Sequence, residues 1–170
     1  MERETQNLPY TICFIKIGDQ VLMVHRKKRP NKDKWNGLGG KIEDGETAHE
    51  SVIREIREEA ELDLTSAQKV SYSGVVLWAT REGDKEIVNS GMHTFIAEYN
   101  DNSLIFGTRE TREGKLEWKP LSWVLDQNNE DVVSNIPIFL SQMLEVNEIQ
   151  EHLFVYEGRN IVRHEVRSLI

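Results

Sequence analysis

Cysteine is almost missing from this sequence: Cys13 stands alone, so no disulfide can form within the chain. It lies inside the apolar run Ile12-Cys13-Phe14-Ile15, where a buried strand residue is expected rather than a nucleophile. Long apolar stretches are missing too. None reaches the ~18 residues that a membrane-spanning helix needs, and the opening Met1-Glu2-Arg3-Glu4 has neither the basic nor the apolar region of a secretory signal. A cytoplasmic location without membrane attachment is the expectation. Positive charge is also in deficit: 21 Lys and Arg against 29 Asp and Glu leave a formal net charge of -8, which argues against duplex nucleic acid as a partner. Internal repeats, low-complexity tracts and interdomain linkers are absent as well. With 170 residues the chain suits one buried core better than two, and a single domain over 1–170 is expected.

What is present reads as a folded α/β chain. Hydrophobic residues at 38% and charged residues at 29% exclude a wholly disordered polymer. Tyr10 to Ile17 and Val21 to His25 are β-branched or apolar runs on either side of Gly18-Asp19-Gln20, which predicts a hairpin. Arg26 to Lys34 is basic and carries Pro30 and Asn31, as an exposed loop would. The glycine-dense Trp35-Asn36-Gly37-Leu38-Gly39-Gly40-Lys41 follows, where backbone can come close to a ligand or to another strand. Further strands are predicted at Val70 to Thr80, Met92 to Tyr99 and Leu116 to Trp118, with a polar loop at Arg81 to Asn89. Pro120 to Leu125 and Ile136 to Val146 look helical. Leu153 to Tyr156 and Ile161 to Val166 predict a terminal hairpin across Glu157-Gly158-Arg159-Asn160.

The strongest helix signal begins at Thr47, with Glu50 three positions later as a capping box, and runs from Ala48 to Ala60 without Gly or Pro. At ~100° per residue, Val52, Ile53, Ile56 and Ala60 form the face expected to be buried; Glu50, Arg54, Arg57 and Glu61 form the face expected in solvent. Glu55, Glu58 and Glu59 stand at i, i+3 and i+4, so they share one flank. Eight carboxylates fall between Glu43 and Glu61. Like charges on one flank repel by a few tenths of a kcal/mol per pair, so the flank is either a plain solvated surface or a seat for a cation. Hard oxygen donors suit Mg²⁺, or Mn²⁺, and the scarcity of Cys and of closely spaced His disfavours zinc.

The surroundings of that flank decide between the two. From Gly40 the chain gives five residues, Glu46, seven residues, then Arg54-Glu55-Ile56-Arg57-Glu58-Glu59-Ala60-Glu61-Leu62. This resembles the box of the Nudix family, Gly-x5-Glu-x7-Arg-Glu-U-x-Glu-Glu-x-Gly-U with U aliphatic. One defined position departs: Glu61 stands where the family has Gly. That Gly ends the helix in a left-handed conformation, which costs another residue roughly 1 kcal/mol, so a different helix end is expected here. The resemblance implies an α/β/α sandwich with a mixed sheet, and hydrolysis of a nucleoside diphosphate linked to another group. It implies that Glu55, Glu58 and Glu59, with the Gly40 carbonyl, bind the divalent ion, that Arg54 holds Glu55, and that Glu46 stands behind them. Glu55 is the first candidate for general base. Glu113, in Arg112-Glu113-Gly114, resembles a loop glutamate that MutT-like members supply from outside the box, and is the second.

Substrate choice in the family is set outside the box. Lys34 to Lys41 is similar to the segment before the box in members that cleave 8-oxo-dGTP, which makes Asn36 and Lys41 candidate substrate contacts. Ser134-Asn135-Ile136-Pro137 resembles the place where MutT-like members carry a base-reading asparagine. An amide offers one donor end and one acceptor end, and guanine oxidised at C8 gains an N7–H beside its O6. Asn135 could alternatively cap the helix that begins at Ile136, and Asn36 could serve a turn. Arg26 is a candidate for the phosphates or sugar, or else a solvated surface group. Trp118 and Trp123 are expected as core or pocket walls, Trp78 as structural, and His25 and His93 as too isolated to be ligands. The expected activity is Mg²⁺-dependent cleavage of a nucleoside triphosphate, oxidised dGTP foremost, to the monophosphate and pyrophosphate. ADP-ribose, dinucleoside polyphosphates or capped RNA are the alternative substrates, and a non-catalytic regulator is the rival from another class. The resemblance fades after Val146, leaving 147–170 as an extension without an assigned role, and oligomeric state is left open.

Overall fold

Side chains alternate along the first strand, β1 (Tyr10–Ile17). Ile12 and Phe14 enter one apolar cluster, whereas Cys13, Ile15 and Ile17 enter another. This period of two is that of a strand buried on both faces, and it places β1 at the centre of the molecule. Residues 7–169 are described by the computed structural model; Met1-Glu2-Arg3-Glu4 lies outside them. Next to β1 in sequence comes β2 (Gln20–Arg26), antiparallel to it, and then the two-residue β3 (Trp35–Asn36), which pairs with Val24 and His25 on the same edge of β2 as β1. The helix α1 (Ala48–Ala60) precedes a long hairpin of β4 (Lys69–Glu82) and β5 (Lys85–Tyr99). After β6 (Arg109–Glu110) and β7 (Gly114–Pro120) come the short helix α2 (Leu121–Val124) and α3 (Ile136–Glu145), then β8 (Gln150–Glu157) and β9 (Asn160–Ser168).

The strands form one sheet in the order β6-β7-β2-β1-β5-β4-β8-β9, with β3 added on β2. Pairing is mixed, since β1 with β5 and β4 with β8 run parallel. On one face, Val52, Ile56 and Ala60 of α1 pack against Cys13, Ile15, Leu22 and Val24. On the other, Ile136, Phe139, Leu140 and Met143 of α3 pack against Phe14, Met23, Val76 and Phe154. The result is the expected α/β/α sandwich with a mixed sheet. No helix among the described residues is long and apolar enough to cross a membrane.

One expectation about the strands needs correction. The predicted loop from Arg81 to Asn89 is the outer part of the β4–β5 ladder, turning only around Gly83 and Asp84. Its polar residues fooled the reading because this ribbon is held by cross-strand polar bonds, Arg81 to Glu86 at 3.0 Å among them, and not by burial. The predicted terminal hairpin forms as β8 and β9, and it joins the main sheet. Gly74 to Thr80 of β4 pairs along β8, and Gly74, at φ +114, comes so near Gln150 that a Cβ would meet its carbonyl oxygen at 1.9 Å. The brief strands β3 and β6 carry too few residues for any period to reveal them.

Candidate active site

The helix that carries the acids starts where its cap fixes it. Thr47 Oγ1 accepts from the Glu50 backbone N–H, and the Glu50 carboxylate accepts from the Thr47 N–H, each at 3.0 Å. Burial of Val52, Ile56 and Ala60 then sets the rotation of α1 about its axis, with Ile53 half-buried beside them. Arg54 is not a solvent-face residue. Its Nε and one terminal nitrogen donate to the two oxygens of Glu46, at 2.7 and 2.9 Å. The other terminal nitrogen donates to Glu55 at 3.0 Å and to Glu58 at 3.3 Å, and the Lys41 carbonyl accepts at 3.1 Å. A helical wheel sorts residues by polarity and misses a long side chain that lays its stem along the helix and turns its head inward. Glu46, gripped by Arg54 and by the Glu43 N–H, is held down at about 2.

Glu59 stands beside Glu55 on the same flank of α1, and one carboxylate beside another disfavours the charged form of both. Burial first, and then Glu55 and the charge of Glu113, push Glu59 up to about 9, while the Gly39 N–H opposes them. As placed, no three carboxylate, imidazole or thiolate groups among the described residues converge on one point. The donor set itself, three carboxylates on one flank, has the chemistry of a hard divalent ion's ligands. Gly39 and Gly40 bring the backbone against it. A Cβ at Gly39 (φ +148) would meet the Thr11 carbonyl oxygen at 2.1 Å, and one at Gly40 would meet Glu55 Oε1 at 2.5 Å. The Gly40 carbonyl accepts from the Thr11 N–H at 2.9 Å and, more weakly, from the Thr11 hydroxyl at 3.5 Å. Glu113 sits on the turn into β7, its own carbonyl bonded to the Lys27 N–H at 3.2 Å.

Asn36 and Asn135 come from segments that run side by side. The Trp35 N–H donates to the Asp131 carbonyl at 2.8 Å and the Val133 N–H to the Trp35 carbonyl at 3.0 Å. Asn36 Oδ1 accepts from the Gly37 N–H at 2.9 Å. Asn135 does not cap α3: it makes no side-chain cap bond. Only 6% exposed, it leaves its Oδ1 without a partner among the described residues.

The family model described as NUDIX domain matches residues 7–139. The chain belongs to the Nudix family. A Nudix hydrolase of Bacillus subtilis, YvcI, is 33% identical over 108 residues, covering 64% of this chain and 63% of that protein. The oxidized purine nucleoside triphosphate hydrolase of Mus musculus is 29% identical over 118 residues, 69% of this chain and 67% of that protein. Among solved structures, the MutT protein of Bacillus halodurans aligns with a TM-score of 0.69 at 23% identity, covering 92% of this chain and 95% of that one; this likeness concerns the fold.

Within this Nudix domain the family's box glycine is replaced without changing the helix end. Glu61 itself takes the left-handed conformation, φ 57 and ψ 30, and its N–H bonds to the Arg57 carbonyl. The expectation of a different end is therefore overturned: the sheet and the following turn dictate the backbone path, and the side chain tolerates it. Arg26 donates from Nε to the Pro30 carbonyl at 2.8 Å, closing its own loop. Lys41 is exposed at the rim, below the Arg54 guanidinium that takes its carbonyl. Sequence reading missed Lys119, whose ammonium lies 4.3 Å from the Trp35 ring and 5.0 Å from that of Trp123. Lys119 carries no motif signal. An open cleft lined by Lys16, Lys69, Glu98 and Asn100 lies at the opposite end of β1 from Gly40 and has no part in this constellation.

Proposed function

We propose that this Nudix hydrolase cleaves a nucleoside triphosphate to the monophosphate and pyrophosphate with Mg²⁺, Mn²⁺ substituting, and that oxidised dGTP is its favoured substrate. The observation that carries the reaction is the gathering of Glu46, Glu55 and Glu58 around the one Arg54 guanidinium, with Glu59 on the same flank of α1. Glu55, Glu58 and Glu59, with the Gly40 carbonyl, would hold the divalent ion. When bound, that ion offsets the charge of the phosphate chain and acidifies a water molecule.

The remaining work falls to the protein's own side chains. Arg54 keeps Glu55 aimed while Glu46 fixes Arg54. Glu55 takes the proton of the attacking water, with Glu113 as the second candidate. The water oxygen bonds to phosphorus as the phosphoanhydride bond breaks, and the leaving phosphate keeps the electron pair. Lys41 supplies positive charge at the rim. Asn135, buried and uncapped, supports base reading, since an unpaired buried carbonyl is costly until a ligand donor meets it. Asn36 assists from β3. Likeness to a hydrolase of oxidised purine nucleoside triphosphates points the same way.

A substrate panel tests this. With Mg²⁺, 8-oxo-dGTP should give pyrophosphate at a kcat/KM at least about tenfold above that for dGTP, the effect of one mismatched buried polar pair. Equal values for the two, or preference for ADP-ribose, would remove the substrate assignment.

A further inference from the structure

We propose that β9, the outer strand of the sheet, pairs antiparallel with β9 of a second copy of this chain about a twofold axis at Val166, with Glu165 of each copy opposite Arg167 of the other. This dimer is independent of the substrate assignment.

The two ends of the sheet differ. At one end stands β6, only two residues long, with Arg109 turned back onto the Ala60 carbonyl at 3.2 Å. At the other stands β9, nine residues long, with no further strand beyond it among the described residues. One bond fixes its phase. The Leu169 N–H donates to the Ile149 carbonyl at 2.9 Å, and Arg167 lies opposite Glu151 and Glu165 opposite Leu153. Bonded residues alternate along an antiparallel ladder, so Leu169, Arg167 and Glu165 turn their backbone groups to β8. His164 and Val166 turn theirs outward, and a row of outward N–H and C=O groups is a template for another strand.

Sheet edges are usually guarded by charged side chains. Here the cations are drawn back onto the molecule. Arg167 Nε donates to the buried Glu151 at 2.9 Å, and Arg163 donates to Glu165 at 2.6 Å and to Glu86 at 3.2 Å. The charges then select both partner and register. Outward residues must pair with outward residues, so the twofold axis can pass only through a residue and not between two. An axis at Glu165 or at Arg167 sets that charge against itself, and like charges directly opposite are destabilising. An axis at His164 brings Val166 onto Val162, the residue that the β8 ladder skips. An axis at Val166 sets Glu165 opposite Arg167 twice and leaves that bulge outside. Such a self-complementary patch is what a twofold dimer requires, whereas an unrelated extended peptide has no reason to match the alternating charges.

The test is sedimentation velocity on the full chain from about 1 to 100 μM, the range suited to a small interface, with circular dichroism to follow the fold. The unaltered protein should pass from monomer to dimer across this range. Val166→Pro removes an outward N–H and no bond to β8, a place where an edge strand accepts proline; it should keep the fold and stay monomeric throughout. Glu165→Arg turns two favourable cross-strand pairs into unfavourable ones and should raise the dimer Kd at least about tenfold. An unaltered protein that stays monomeric overturns the proposal. So does a dimer that both substitutions leave intact, since it would use another surface. Should Val166→Pro fail to fold, Glu165→Arg decides alone, and an unchanged Kd there overturns the proposed pairing.

Discussion

Every nitrogen of the Arg54 side chain has an acceptor, and Glu46 takes two of the bonds side by side. A lysine has a single ammonium and cannot reproduce that planar grip. Arg54→Lys is expected to lower kcat/KM by about 10- to 100-fold, as loss of a group that aims a metal ligand does, with little change in unfolding temperature. Steady-state kinetics at saturating Mg²⁺ check this; unchanged activity would mean that Glu55 is held by other means. The acid trio was legible at this scale because i, i+3, i+4 spacing fixes a shared flank whatever the fold. The inward turn of Arg54, the burial of Glu59 and the uncapped state of Asn135 were not legible. Each depends on what the loop from Gly39 to Glu46 or the strand at Trp35 brings up from elsewhere in the chain.

Helix α1 ends on a residue that pays no attention to its own propensity. Glu61 sits in the left-handed region, which disfavours a residue with a Cβ by about 1 kcal/mol, and its exposed contact with Arg109 at 3.7 Å offsets little of that. Glu61→Gly should therefore stabilise the protein by roughly 0.5–1 kcal/mol, a rise of about 1–4 °C in Tm for a chain of this size. A fall in Tm would show that the Glu61 side chain makes a contact of greater worth.

The β8–β9 hairpin makes a second prediction at the scale of an element. His152 is 0% exposed, its Nδ1 3.0 Å from His164 Nε2 and its Nε2 3.2 Å from Gln150 Oε1. Burial, and then His164, push it down to about 4. The folded protein thus binds fewer protons than the unfolded chain between about pH 6.5 and 4, so stability must fall as pH drops through that window, by an amount on the order of 2 kcal/mol. Urea unfolding at pH 7 and pH 4.5 should show the loss, and His152→Gln should reduce it. An identical pH dependence in that variant would place the loss elsewhere. Polar hairpin arms beyond Arg81 escaped the sequence reading for a related reason. Pairing there is fixed by partner strands, not by an apolar period.

At the scale of the molecule, α1 and α3 cover opposite faces of a sheet whose central strand alternates between two cores. That layering was legible only through the resemblance of residues 40–62 to the Nudix box, since β1 and α1 by themselves fix one strand and one buried helix face. Strand order was not, because the parallel pairing of β1 with β5 and β4 with β8 joins segments far apart in sequence and no local pattern encodes it. The pairing of β8 along β4 leads to an expected outcome for truncation. Deleting 147–170 removes the buried Phe154 and Val155 and exposes the edge of β4, so the shortened chain should aggregate or unfold rather than behave as a trimmed but active enzyme. Circular dichroism and size-exclusion chromatography would check this, and a folded, active truncation would show that the hairpin is dispensable.

The central claim is that Glu55, Glu58 and Glu59 exist to hold a divalent cation. Mn²⁺ titration followed by electron paramagnetic resonance, on the unaltered protein and on Glu58→Gln and Glu59→Gln, tests it most directly. The account predicts saturable Mn²⁺ binding that Mg²⁺ displaces, weakened at least about tenfold in each variant and lost together with pyrophosphate release. Mn²⁺ binding and turnover that survive both substitutions would contradict it.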